Sequence, residues 1–412
     1  MLVDFRDGKY WINRKDAADI GLDTIKLNKP NNGSEVNLSD YGTVSVIEQK
    51  AQVVLEIDMK YRQETLIDLF GKTSNTMPPT RVLDAIFLNY DLRYQRQSLS
   101  GQEVNNYSAF FEANANVGET RLNYQWQKTG QSNGEYTPWE RVSANIVRDD
   151  LETAVTYLVG DSFSNAGTYA NPVSFTGVQI AKDFGLQPGF ITQSKLDLSG
   201  VAARPSTLDI FIDNIKTRTT NVPAGPFSVN NLIGLSGSGL ARIVVKDDLG
   251  NEQVITGVLF GGSNLLAEGV STFSLQAGLM RPEQNTWDGK MMSGFYRVGL
   301  TNWLTTELNA ERAEKTETLD AVHHQGVAAT VASPLGIVDV SKRVGTGSQT
   351  YLGYQKLWRL NNLSLSFNAN QVKHRDDYQT LGGGSVQPYR RNVQLSMSYR
   401  KITGSLLVSN ST

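Results

Sequence analysis

The sequence predicts an all-β protein dominated by a transmembrane antiparallel β-barrel, and three observations carry that reading. Apolar and polar residues alternate along segment after segment. Turn residues fall between those segments. The polar partners are mostly Ser, Asn, Gln and Thr rather than charged groups, and charge is only 19% of the chain against an ordinary share of roughly 25%.

Alternation is plainest in three places. Leu122, Tyr124 and Trp126 alternate with Arg121, Asn123, Gln125 and Gln127. Leu363, Leu365, Phe367 and Ala369 alternate with Ser364, Ser366, Asn368 and Asn370. Val393, Leu395, Met397 and Tyr399 alternate with Gln394, Ser396, Ser398 and Arg400. Successive strand side chains point to opposite faces, so each segment has one apolar and one polar face. Thr129-Gly130, Ser132-Asn133-Gly134, Pro334-Leu335-Gly336, Asn361-Asn362 and Gly382-Gly383-Gly384 supply the turns. A soluble sandwich and an outer-membrane barrel both produce this pattern. Aromatics near segment ends, among them Trp139, Trp303, Tyr354 and Trp358, favour the barrel with a wet interior and aromatic girdles.

Composition removes other classes. With no cysteine, disulfide scaffolds and Cys-based metal or redox sites are impossible. A net charge of −2, from 39 basic and 41 acidic residues, argues against nucleic-acid binding. The uncharged stretch Thr219 to Ala241 holds Pro223, Pro226 and several glycines, so it makes no lipid-exposed helix. Met1 to Asp7 has neither the basic start nor the apolar run of a secretory leader. The chain is therefore expected either to follow a removed leader or to be cytoplasmic.

Two regions break the barrel pattern. Residues 1–80 are more charged, with Leu22, Ile25 and Leu27, one good strand at Val53 to Met59, and a short turn or helix at Thr65 to Phe70. They read as a small α+β domain, followed by a linker at Met77-Pro78-Pro79. From 201 to 266 come Leu208, Ile210 and Ile212 in alternation, the Pro-rich 223–227 segment, a strand at Ala241 to Lys246, a turn around Leu249-Gly250, and a strand at Val254 to Phe260. These short strands read as a compact β-sandwich. Barrel alternation resumes at Phe273, Leu275 and Ala277, so the sandwich is an insertion.

That insertion and its flanks resemble the outer-membrane usher family of chaperone–usher pilus assembly. Three stretches carry the resemblance. Phe87-Leu88-Asn89-Tyr90-Asp91-Leu92 looks like the start of the family's barrel. Val159-Gly160-Asp161-Ser162-Phe163, with Val173 to Ala181, looks like its Gly-Asp strand end and following strand. Gly200-Val201-Ala202-Ala203-Arg204-Pro205-Ser206-Thr207, Pro223 to Phe227 and Asp248-Leu249-Gly250 look like its plug domain. The wording at 88–92 and 202–207 is closer to archaic, spore-coat-U-like ushers.

The resemblance implies a partial N-terminal periplasmic domain at 1–80, a first part of the barrel at 85–200, a plug at 201–266 and a second part of the barrel at 267–412. It implies a pore in the outer membrane of a Gram-negative bacterium, surrounded by outer-membrane lipid. Its partners would be a periplasmic chaperone and pilin subunits, polymerised by donor-strand exchange, a form of strand addition. No enzymatic activity, cofactor or nucleic acid enters that scheme. At about ten residues per strand, the roughly 260 residues outside the insertion suffice for about 13 to 17 strands. The family's barrel has about two dozen, so this barrel is expected to be incomplete and the chain a fragment. A general porin or a secreted β-rich adhesin are the alternatives.

Individual residues are less telling. His323 and His324 are adjacent and face opposite sides of a strand, and His374 lies in a charged turn; none is expected to hold a metal or to catalyse, and solvated or lumenal positions suit them. Gly234 to Gly239 lacks the Gly-Lys-Ser/Thr ending of a phosphate loop. Pro223, Gly225, Pro226 and Phe227 form the plug motif, either a rigid corner anchored by Phe227 or a gating surface. Its prolines argue against a central strand. Asp161 is either a plug–barrel contact or a hydrogen-bonded carboxylate at a strand end. Tyr10 and Trp11 are expected in a small core, and no chaperone-binding residue is singled out.

Overall fold

The computed structural model describes residues 3–411 apart from 18, 24–26, 28–34, 48–51, 59–60, 70–83, 100–101, 132–136, 235–236, 263, 283–285, 317–319, 361–362, 384–385 and 400–401. Ile25, Met59, Phe70, the expected linker at 77–79, the turns at 132–134 and 361–362, Gly384 and Arg400 lie outside the described residues. The chain divides into two compact units. One comprises Met1–Lys72, Lys195–Gly234 and Gly239–Leu259; the other comprises Thr73–Ser194, Leu235–Ser238 and Phe260–Thr412.

The second unit is built on one antiparallel sheet of fifteen strands. Six come first, Ala85–Leu99, Gln102–Val117, Thr120–Gln131, Glu140–Asp150, Val155–Phe163 and Ser174–Lys182. Nine follow the insertion, Ser271–Met280, Asp288–Thr301, Leu304–Ala313, Val322–Ser333, Gly336–Gly345, Gly347–Leu360, Leu363–Arg375, Tyr389–Tyr399 and Ile402–Ser411. Each pairs with its neighbours in chain order. Across the insertion, Ser174–Lys182 pairs directly with Ser271–Met280, from Phe175↔Met280 to Ala181↔Ser274. Residues 183–270 thus leave and return between two adjacent strands.

The two ends of this sheet differ. Hairpins at 118–119, 151–154, 302–303 and 334–335 are short and share the end from which the insertion departs. The segments 164–173, 281–287, 314–321 and 376–388 are longer and lie at the other. Outer-membrane barrels have short periplasmic turns and longer extracellular loops, so the insertion leaves from the periplasmic end.

Burial is reversed relative to a water-soluble sheet. On one face Gln276 (4%), Glu311 (5%), His324 (3%) and Arg343 (1%) are buried, while the other exposes Leu275 (58%), Met292 (63%) and Leu308 (62%). A sheet with this polarity suits a hydrocarbon solvent outside and a polar interior. Exposed Trp303 and Trp358 lie toward the short-turn end and exposed Phe163 at the other, where amphipathic or aromatic rings suit a membrane interface. Exposed Tyr296, by contrast, lies within the strand Asp288–Thr301.

The first unit holds the inserted sandwich. One sheet runs in the order Ile215–Val222, Ser206–Ile212, Gly237–Asp247, Glu252–Gly261; a second runs Lys195–Ala202, Gly225–Ile233, Thr65–Asp68. Leu208, Ile210, Ile243 and Val245 from the first share a buried core with Ala202, Phe227, Val229 and Leu232 from the second. The segment at 65–68, expected as a turn or helix, is a strand that pairs in parallel with the Gly225–Ile233 strand, from Phe227↔Thr65 to Asn230↔Asp68. Ile67 alone of its side chains enters the core as a fully buried residue. Four residues carry too little periodicity to separate strand from turn.

Pro226 also corrects an expectation, because its strand is central in the three-stranded sheet. The pairing with Thr65–Asp68 begins at Phe227, one residue after the proline. The missing N–H therefore breaks no bond on that side, which is how a strand start tolerates proline.

The preceding N-terminal residues form a small core of Ile12, Leu22, Leu27, Val36, Leu38 and Tyr41. Tyr10 and Trp11 are half-buried in the strand Lys9–Asn13. Among the described residues this region contains strands and a 3-10 turn at Leu38–Asp40 but no α-helix, so the helical part of the α+β expectation has no counterpart there.

Candidate functional sites

The Pro223–Phe227 segment leads into the sandwich core. Gly225 takes φ +141°, a conformation that favours glycine, and the carbonyl of Ala224 accepts a hydrogen bond from the Arg62 guanidinium. Phe227 is 1% exposed and pairs with Gly200. A Cβ at Gly200 would meet the Phe227 ring at 2.8 Å, so the glycine makes room for the ring. Arg62 also donates to the Ile57 carbonyl at 3.0 Å, and Arg218 to that of Asp68 at 2.8 Å. The geometry makes Phe227 an anchor of the unit's core.

Asp161 lies in the barrel unit where two strands part. The ladder between Glu140–Asp150 and Val155–Phe163 ends at Asn145↔Gly160. One residue on, the Asp161 carboxylate accepts from the Ala144 N–H at 2.8 Å and from the Thr176 hydroxyl. It pairs with Arg141 at 3.1 Å and Arg281 at 3.3 Å. Arg281 in turn donates to the Val142 carbonyl at 2.7 Å. A buried carboxylate is stable only with such a set of donors, and this one replaces the lost ladder bonds.

The sheet's polar face carries a site that sequence reading did not single out. Glu307 accepts from Arg297 Nε at 2.8 Å, from the Thr168 hydroxyl at 2.8 Å, from the Thr168 N–H at 3.1 Å and from Asn309 at 3.2 Å. Gln276 donates to the Asn165 carbonyl at 2.8 Å. Together these lay the 164–173 segment against the strands. Nearby, Glu311 lies 2.7 Å from Arg343 and 2.9 Å from His324 Nδ1, while His324 Nε2 donates to the Thr346 carbonyl at 2.9 Å. Arg343 donates to the Tyr378 hydroxyl at 3.1 Å. Register explains the grouping, since Gln276↔Ser293, Ser293↔Glu311 and Glu311↔His324 are direct cross-strand partners.

His324 is thus buried rather than solvated, His323 is exposed, and His374 stacks on Tyr378 at 4.8 Å. No group of three metal-ligating side chains occurs among the described residues. Asp247 caps its turn, accepting from the Leu249 and Asn251 N–H groups at 3.0 and 2.8 Å.

A polar-faced barrel sheet interrupted between adjacent strands by a sandwich is a specific plan. The model of the outer membrane usher protein family matches residues 108–311, which span that interruption. The chain belongs to the outer membrane usher family. Among curated ushers, FimD of Escherichia coli K12 is 22% identical over 289 residues, covering 66% of this chain and 31% of FimD. YraJ of the same strain is 26% identical over 259 residues, covering 59% and 30%. The F1 capsule-anchoring protein of Yersinia pestis is 23% identical over 207 residues, covering 48% and 24%. The chain spans about a quarter to a third of the length of these curated relatives.

In structure it is similar to a chain of the E. coli P pilus tip assembly intermediate PapC-PapD-PapK-PapG, with TM-score 0.57 and 17% identity, covering 97% of this chain and 52% of that one. At that identity the likeness concerns the fold. Usher membership places this chain in the outer membrane of a Gram-negative cell.

Proposed function

We propose that this chain acts as a fimbrial usher, an outer-membrane pore and assembly platform without enzymatic activity. On this reading it receives chaperone–pilin complexes, translocates the subunits and promotes their polymerisation by donor-strand exchange. The observation that carries it is the insertion of a folded sandwich between two directly paired barrel strands, which an ordinary diffusion porin has no need of. The sandwich serves as the plug, with Phe227 holding its core together and Asp161 fixing the barrel wall. The archaic branch is our reading of the wording at 88–92 and 202–207.

The test is complementation. Expressed with a periplasmic chaperone and pilin of the same species in an usher-deleted strain, the protein restores surface pili under the electron microscope. Membrane fractionation then finds it heat-modifiable and in the outer membrane. Recovery as a soluble protein, or membrane insertion with no subunit reaching the surface, overturns the proposal.

A further inference from the structure

The smaller sheet of the sandwich is completed from outside the insertion. Two of its strands, Lys195–Ala202 and Gly225–Ile233, belong to the insertion, and the third, Thr65–Asp68, comes from the N-terminal region. That third strand lies at the edge, with no strand on its far side among the described residues. It runs parallel to its neighbour through Phe227↔Thr65, Ser228↔Leu66, Val229↔Ile67 and Asn230↔Asp68. The Leu69 N–H adds a bond to the Asn230 carbonyl at 3.4 Å.

Alternation divides the side chains of this borrowed strand. Ile67 is 7% exposed and enters the core, whereas Leu66 is 67% exposed. Every other fully buried member of that core, from Ala202 to Leu259, is supplied by the insertion, and Leu69 packs partly against it. One branched aliphatic side chain is therefore all that the borrowed strand buries completely.

Its remaining anchors are to backbone. Arg62 donates to the Ala224 carbonyl, 162 residues away, and Arg218 of the insertion donates to the Asp68 carbonyl at 2.8 Å. Every residue has a carbonyl, so neither contact selects a sequence, and selection rests on the place Ile67 fills. Parallel pairing is slightly less stable per residue than antiparallel pairing. Losing this short piece of it leaves the insertion's own core residues together. The uncovered edge would then present unpaired N–H and C=O groups, a template for another strand.

We propose that the edge of Gly225–Ile233 is a strand-addition groove, filled here by the chain's own Thr65–Asp68. It is open to exchange for an extended segment that offers a branched aliphatic residue at the Ile67 place, a form of β-strand addition. Residues 62–69 are its detachable occupant and leave without unfolding the sandwich. The groove stands whether or not the sandwich serves as a plug.

A labelled peptide with the sequence of Tyr61 to Leu69 tests it by fluorescence anisotropy, on the full chain in detergent micelles. Two variants set the state of the groove. Ile67→Ser takes the core side chain from the chain's own strand. Leu66→Cys with Ser228→Cys locks that strand in place on oxidation, since neighbouring strands lie about 4.8 Å apart, within disulfide reach. A chain without cysteine offers no competing thiol. The Ile67→Ser chain binds the peptide saturably, about tenfold or more tighter than wild type. The oxidised double variant binds none, and reduction returns binding to the wild-type level. A peptide carrying the Ile67→Ser change does not bind. Hydrogen exchange in 206–212 and 241–247 keeps its wild-type rate in the Ile67→Ser chain, as a sandwich that stays folded requires. Acceleration of those strands together with 65–68 makes the segment integral to the fold and overturns the proposal. So does a lack of saturable binding to the Ile67→Ser chain, binding to the disulfide-locked chain, or equal binding of the altered peptide.

Discussion

Glu307 shows what one side chain does on the polar face. It is 3% exposed, and its donors come from its own strand, from a neighbouring strand and from a segment 139 residues earlier in the chain. Glu307→Ala strands the Arg297 charge and frees Thr168. Loss of one partner from a buried pair costs about 3–5 kcal/mol. Limited proteolysis would show cleavage within 164–173 in Glu307→Ala and protection in wild type; equal protection in both would separate the loop from this anchor. Sequence reading took its alternation from other strands, such as Leu363 to Asn370, and singled out neither Glu307 nor Thr168, since nothing local links residues that far apart. Asp161 was legible as either a plug–barrel contact or a hydrogen-bonded carboxylate at a strand end, whereas its arginine partners came into view only in the folded chain.

At the scale of elements, long alternating strands were readable and short ones were not. Thr120–Gln131 and Leu363–Arg375 contain two of the segments read from the sequence, and Tyr389–Tyr399 contains the third as far as Tyr399, since a period of two over many residues has little competition. Thr65–Asp68 owes its strand state to a partner outside its own region, as does Pro226 its tolerated place. Phe227→Ala removes the ring over Gly200 and is expected to destabilise the sandwich by about 3–5 kcal/mol. Hydrogen exchange would then accelerate in 206–212 and 225–233 while the barrel strands stay protected; acceleration throughout would show the two units to be one cooperative block. The same method reads a pH effect. Lys216, at 2.6 Å, and then the Thr219 hydroxyl, at 2.6 Å, hold the Asp209 carboxyl below its usual range. A lowered folded value contributes stability above the ordinary carboxylate pKa of roughly 4, and that contribution is lost as pH falls through the folded value. Asp209→Asn should therefore exchange faster than wild type at pH 7, by no more than about 1 kcal/mol for so exposed a pair. Below the folded value the two should converge, and a gap that widens in acid would refute the assignment.

At the scale of the whole molecule, fold class was the most legible property because it follows from an average over many strands. Low charge, abundant uncharged polar residues and alternation describe one arrangement, a sheet whose polar face turns inward and whose apolar face meets lipid. Two-face alternation alone does not say which face is buried, so a soluble sandwich stayed open until burial itself was known. Exposed Leu308, beside Tyr296 and Val327 in register, makes the distinction testable. Arginine at mid-membrane on the lipid face of a barrel costs about 2–4 kcal/mol, falling to about 0–1 near the interfaces. Leu308→Arg should therefore reduce folding into lipid vesicles, followed by the heat-modifiable band, far more than Leu335→Arg, whose side chain is 80% exposed in a short turn. In a water-soluble sheet the order would vanish, since both sites would simply add a solvated charge. Equal, small effects at the two positions would thus remove the membrane-facing assignment of this surface, whatever the family resemblance.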